Sequence, residues 1–227
     1  MTRPEAVVDA AMTACSLRSS GRAHDRWLQH AEERAEESAR QPRFRAWHSV
    51  RMEVGGLLLA AGAGRRHGGP KSLVDGWLVN ALAALEDGGC NRCTVVLGAG
   101  AAQARTMVPQ GIDVVVAENW EEGVGASLRA GLAHLSGVDA AMVHLVDLPD
   151  VTAEVVGRVM TQATSPSTLA RAAFAGVPGH PVLIGRDHWA ALLLNVSGDT
   201  GARDYLAARG VTLVECGDLA TGHDVDS

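Results

Sequence analysis

The chain has 227 residues, 47% of them apolar, enough for one ordinary domain or a domain with an appendage. A formal net charge of −6 with no long basic stripe argues against general nucleic-acid binding. No apolar run approaches the roughly 18–20 residues of a membrane span. Four cysteines (15, 90, 93 and 216) are no disulfide framework in a chain of this size, so a reduced cytoplasm is the expected compartment.

Residues 1–53 differ in character from the rest. Arg, Glu, His and Gln are dense from 22 to 46, with Trp27, Phe44 and Trp47 as the large apolar residues. One or two polar helices, or partial disorder, are expected there. The stretch lacks the apolar core of a secretory signal, and its paired glutamates (32–33 and 36–37) do not suit a transit peptide. Met52 stands just ahead of the first apolar run, so an extension is expected over 1–53 and the main domain over 54–227.

That run, 54–60, reads as a buried strand and ends in Ala60-Ala-Gly-Ala-Gly-Arg-Arg-His-Gly-Gly-Pro-Lys71. Gly62, Gly64, Gly68 and Gly69 permit positive φ and close backbone approach, so amide N–H groups can converge on an anion. Arg65, Arg66 and Lys71 add positive charge to what reads as a phosphate-holding loop. The dinucleotide fingerprint G-x-G-x-x-G fails because position 67 is His67, with the glycine one place later. A P-loop fails because Pro70 separates Gly69 from Lys71, removing a donor and turning Gly69 away from the helical region. The residues 73–76 read as a short extended piece with an Asp-Gly turn.

Beyond the loop, helix and strand patterns alternate. Helices are expected at 77–86, 126–135, 153–162, 187–194 and 202–208, and further strands at 94–97, 112–117, 141–146, 169–174, 181–184 and 211–214. This order gives an α/β class: a Rossmann-like three-layer sandwich whose mostly parallel sheet is covered by helices on both faces. Ligands of such sheets gather beyond the carboxyl ends of the strands. Cys90-Asn-Arg-Cys93 has no second ligand pair nearby, and burial of Cys93 at the start of a strand explains it.

The strand 141–146 runs directly into Asp147-Leu-Pro-Asp150. A carboxylate there suits Mg2+ beside a triphosphate, because the hard cation prefers oxygen, although a helix N-cap or turn role would also place Asp147 there. Asp150, with Thr152, reads as a helix start. His144, inside the strand, reads as a core residue, and Asp199 before a helix reads by itself as an N-cap with which Arg203 could pair.

The segment from Leu58 to Lys71 resembles the L-A-A-G-x-G-x-R-x-G-x-P-K signature of the MobA-like nucleotidyltransferases, in which this loop wraps the triphosphate of an incoming NTP. The resemblance covers about residues 54–215. It implies that Leu59, Ala60, Ala61, Gly62, Ala63, Gly64, Arg65 and Lys71 contact the nucleotide and that Asp147, in a D-x-P segment, binds metal. Residues 118–131 resemble N-x-x-x-G-M-x-S-S-L-x-x-G, the segment along base and ribose, which carries over Asn119, Gly123 and Ser127; Val124 and Ala126 depart from it. Residues 197–203 resemble G-D-x-G-A-R, implying that Asp199 faces the site as a second metal contact. Gly176-Val-Pro-Gly-His-Pro-Val resembles the G-x-x-G-H-P-V segment of the molybdenum cofactor cytidylyltransferase branch, which implies an acceptor contact at His180. Residues 222–227 resemble that branch's D-I-D-T-P-x-D ending only faintly, and its last helix is expected to be missing.

The implied activity is Mg2+-dependent transfer of a nucleoside monophosphate from an NTP, CTP on this branch, to a phosphorylated small-molecule acceptor, molybdopterin, with release of pyrophosphate. Arg65, Lys71 and Asp147 are the implied catalytic residues. No nucleic acid or membrane partner is implied, whereas contact with a molybdoenzyme maturation partner is. A sugar-phosphate or guanylyl transferase of the same fold, a P-loop phosphotransferase releasing ADP, and a non-catalytic nucleotide-binding module are the alternatives.

Overall fold

The computed structural model describes residues 52–196 and 198–225; of the extension expected at 1–53, residues 1–51 lie outside the described residues. Seven strands form one sheet in the order β3-β2-β1-β4-β6-β5-β7. They are β1 (Val54–Ala60), β2 (Arg92–Leu97), β3 (Asp113–Val116), β4 (Ala140–Leu145), β5 (Leu169–Phe174), β6 (Val177–Gly185) and β7 (Thr212–Glu215). Among the described residues six α-helices accompany them: α1 (Trp77–Asp87), α2 (Ala101–Arg105), α3 (Val124–His134), α4 (Ala153–Met160), α5 (Trp189–Asn195) and α6 (Arg203–Ala207).

All seven residues of β1 are buried, as a central strand covered on both faces requires. Its side chains alternate between two cores. Leu58 and Ala60 pack with Leu78, Leu82 and Leu85 of α1 and Val155, Val156 and Val159 of α4. Leu57 and Leu59 pack on the other face with Leu128 and Leu132 of α3, Trp189 and Leu192 of α5, and Tyr205 and Leu206 of α6. Each fully buried leucine of this kind contributes about 1.5–3 kcal/mol. The three-layer α/β sandwich expected from the alternating pattern is therefore the fold.

β6 is the exception to the parallel sheet: it runs antiparallel to β4 and to β5, while β1, β2, β3 and β4 run parallel to one another. It also begins four residues before the expected start, because Pro178 and Pro181 disguise its first half as a turn. A two-residue connection, Ala175-Gly176, joins β5 to β6 with φ of 51° and 79°, the positive values that a tight hairpin needs. Alanine is strained there, and the Glu215 carboxylate holds the turn by accepting the Ala175 and Gly176 N–H groups at 2.9 and 3.0 Å. Helix α2 has no counterpart among the expected helices; at five residues it is too short to show a period.

Cys90, Cys93 and Cys216 are free and buried, as the strand reading of the Cys90–Cys93 pair required. A hydrogen bond with Cys90, then burial, push the Cys93 thiol well above the ordinary range, so it stays protonated. Gly56 makes room for it, since a Cβ there would lie 2.6 Å from the Cys93 sulfur.

Candidate active site

β1 and β4 are parallel neighbours with Leu59 opposite Leu145, so the loops that leave their carboxyl ends emerge side by side. That register brings together residues 76 apart in sequence: Lys71 Nζ lies 3.1 Å from Asp147 Oδ2. The two side chains are only 11% and 23% exposed, which shields the pair from solvent. At an effective dielectric near 20 such a contact is worth about 5 kcal/mol before desolvation. The phosphate-loop lysine and the D-x-P aspartate share one cleft.

The loop between them is closed by its own backbone. The Gly64 carbonyl accepts the N–H groups of His67 at 2.9 Å and Gly69 at 3.1 Å. Gly64 has φ of 54°, and a Cβ there would stand 1.9 Å from the Gly69 oxygen, so only glycine fits. Among the described residues no backbone carbonyl takes the N–H groups of Ala63, Gly64 or Arg65. After Pro70, with ψ of 123°, Lys71–Leu73 form a single 3-10 turn rather than the first turn of an α-helix, which removes the P-loop reading.

The loop forms one wall of a cleft of about 1250 Å³. Drug-sized ligands fill roughly 300–1,000 Å³, so there is room for two small substrates. Leu59, Ala60, Ala61, Gly62, Ala63, Gly64, Arg65 and Lys71 all line it, as do Gly123, Ser127, Asp147 and His180. Asn119 does not: it is exposed at the turn before the 3-10 segment Trp120–Glu122, and the lining there comes from Trp120 and Glu121. That segment is braced by Arg129, whose guanidinium reaches both Glu122 at 2.9 Å and the Val196 carbonyl at 2.6 Å. The side chain of Asp199 lies outside the described residues; its neighbours Thr200 and Gly201 line the cleft.

His180 sits on β6 next to the end of β4. Its Nδ1 lies 3.4 Å from the Val143 carbonyl, which can only accept, so the proton of that contact belongs on Nδ1 and Nε2 is left as an acceptor. Burial lowers its pKa to about 4, with the charge of Arg171 adding to the effect and Val143 and Asp147 opposing it. His180 is neutral at pH 7. Behind it His144 is fully buried, and burial, then His180, lower its pKa to about 3. It is a core residue, as its place inside a strand indicated.

Asp150 does not start α4. Its Oδ2 accepts the N–H groups of Thr221 at 2.7 Å and Gly222 at 3.2 Å and the Thr221 hydroxyl at 2.5 Å, and these bonds hold its pKa below the ordinary carboxylate value against burial. Val225 N–H donates to the Asp147 carbonyl at 3.1 Å. The segment after β7 is thus tied across the Asp147–Asp150 turn, and Asp224 joins the cleft lining. Sequence reasoning did not assign Asp224; its only signal was the weak likeness of residues 222–227 to a D-x-D ending.

Residues 56–213 match the MobA-like NTP transferase domain. The chain belongs to that family. It is 36% identical over 190 residues to nicotine blue oxidoreductase of Paenarthrobacter nicotinovorans, covering 77% of this chain and 92% of that protein. The solved structure of Rv0371c from Mycobacterium tuberculosis H37Rv is similar with a TM-score of 0.66 and 27% identity, over 78% of this chain and 95% of that one. A manganese complex of Rv0371c aligns with a TM-score of 0.63 and 25% identity, over 74% and 89% of the two chains.

Proposed function

We propose that this protein transfers a nucleoside monophosphate from an NTP, CTP in the first instance, to a phosphate-bearing acceptor, molybdopterin in the first instance. The observation that carries the reading is the 3.1 Å contact of Lys71 with Asp147 inside the loop-walled cleft. An acceptor phosphate oxygen attacks the α-phosphorus, a new P–O bond forms, and the bond to the β-phosphate breaks with its electron pair leaving on pyrophosphate. A phosphate monoester has a second pKa near 6 and is mostly dianionic at neutral pH. No general base is needed, and His180, its pKa lowered to about 4 by burial, is a weak one.

Arg65 and Lys71 hold the β- and γ-phosphates and neutralise the charge that builds on the leaving group. Gly123 and Ser127 position the nucleoside. Asp147, with Asp224 in the same cleft, would offer carboxylate oxygens to Mg2+, and Asp199 is the second metal ligand that the resemblance implies. These donors suit a cation that one or two carboxylates and the substrate's own phosphates complete; among the described residues no cluster of three His, Cys, Asp or Glu forms a closed cage. Held there, Mg2+ would supply positive charge against the crowded phosphates. Placement in the cytoplasm and contact with a molybdoenzyme maturation partner belong to the same proposal.

The test is pyrophosphate release from each of the four NTPs with Mg2+, with and without molybdopterin. Release that requires both CTP and molybdopterin supports the reading; preference for GTP or a sugar phosphate moves it to another branch of the fold, and nucleotide binding without turnover makes the protein a binding module. The 36% identity to nicotine blue oxidoreductase favours a second reading, oxidoreduction of nicotine blue. It predicts consumption of NADH or NADPH on addition of nicotine blue and no pyrophosphate.

A further inference from the structure

The cleft carries positive charge from two sources. One is the loop, with Arg65, Arg66 and Lys71; the other is Arg171 on β5 and, close enough for its charge to act on it, Arg203 at the start of α6. The strand order β1-β4-β6-β5 separates them: Asp147 follows β4, His180 is on β6, and Arg171 is on β5. With strands roughly 4.8 Å apart, the Arg171 strand lies two spacings beyond that of Asp147, on the side away from the loop.

Arg171 is held in place. Its Nε and Nη2 both donate to the Gly179 carbonyl, at 3.1 and 2.9 Å, which fixes the plane of the guanidinium and leaves Nη1 outside those bonds. Burial, then the nearby charge of Arg203, depress its pKa. Arg203 is exposed and lines the same cleft, with no hydrogen-bond or ion-pair partner among the described residues. Arg209, two residues past α6, is different: its guanidinium lies 3.5 Å over the ring of Tyr205 in that helix. Two like charges facing one cleft, one of them half-buried, repel each other unless an anion lies between them. Paired guanidinium forks match the oxygens of a phosphate.

We propose that Arg171 and Arg203 form the subsite for the phosphate monoester of the acceptor, on the opposite side of Asp147 from the triphosphate loop. The proposal deepens the nucleotidyl-transfer reading and rests on it. Across the sheet the leaving pyrophosphate, the carboxylate and the incoming phosphate then stand in the order that in-line displacement needs.

The experiment is calorimetric titration of the full chain with phenyl phosphate, with and without saturating α,β-methylene CTP. The wild type binds phenyl phosphate in both conditions. Arg203→Gln weakens that binding about 10–100-fold, the range for loss of a charge-assisted pair, Arg203→Lys restores part of it, and the methylene-CTP affinity changes less than about twofold. Arg171→Gln is the second probe, with Arg203→Gln as the variant that leaves the Gly179 contact intact. Turnover follows the same split, with KM for the acceptor raised and KM for the NTP unchanged. The proposal is overturned if phenyl phosphate fails to bind the wild type, if it binds both glutamine variants as it does the wild type, if methylene-CTP displaces it, or if benzoate binds equally well. Failure of methylene-CTP to bind contradicts the transfer reading itself, while the arginine dependence is still read from the nucleotide-free titration.

Discussion

Replacing His144 with leucine should flatten the acid limb of the protein's stability. His144 is completely buried on β4, and neither ring nitrogen has a hydrogen-bond partner among the described residues. Burial, then the adjacent His180, lower its pKa to about 3, with Asp150 opposing them; in the unfolded chain the value is about 6.5. The folded state therefore binds fewer protons than the unfolded state between these values, and stability falls as pH drops from about 6.5 toward 3. Between pH 7 and pH 5 this single group accounts for about 2 kcal/mol of lost stability. Urea unfolding followed by circular dichroism at both pH values, on wild type and His144→Leu, reads the difference directly. The wild type should lose about 2 kcal/mol more than the variant over that interval. Equal losses would refute the reasoning, because a histidine that titrates normally in the folded state gives no such slope.

Lys71→Ala and Asp147→Asn should each leave a folded protein whose pyrophosphate release falls about 10²–10³-fold, the usual cost of removing a charge that acts in the transition state; near-normal turnover in either would reject the assignment. Gly64→Ala should lower Tm and weaken NTP binding together, since φ of 54° and a Cβ at 1.9 Å from the Gly69 oxygen force the loop open; unchanged nucleotide affinity would show that the loop's closed form is not needed. Asp150→Ala should release the segment at Thr221 and Gly222, seen as faster amide exchange over 221–225 and a stability loss of about 1–3 kcal/mol. Unaltered exchange there would mean that the tie is not what holds the segment.

The features that the sequence displays openly are the local ones. The run Leu57, Leu58, Leu59 announces a central strand, and Pro70 between Gly69 and Lys71 separates this loop from a P-loop because a single residue alters both the donor set and the backbone angle. Asp147 is legible because it ends an apolar run in a parallel sheet. What escapes is set by partners distant in the chain. Asp150 looks like a helix start because Thr152 stands two places on, but its donors come from residues 221 and 222, brought over by the return of the chain from the sheet edge. Arg171 is a lone charge in an apolar strand, and its meaning depends on Gly179 and Arg203, which pattern reading does not connect to it. Asn119 has the expected spacing but sits on an exposed turn, and the aromatic Trp120 takes its place in the wall.

The most direct measurement is a balance of labelled substrate and product. Wild-type protein mixed with Mg2+, molybdopterin and CTP labelled at the α-phosphorus should give labelled acceptor and pyrophosphate in equal amounts, with Lys71→Ala giving neither on the same timescale. Label remaining in CTP while the nucleotide is bound would contradict the claim that this cleft performs nucleotidyl transfer.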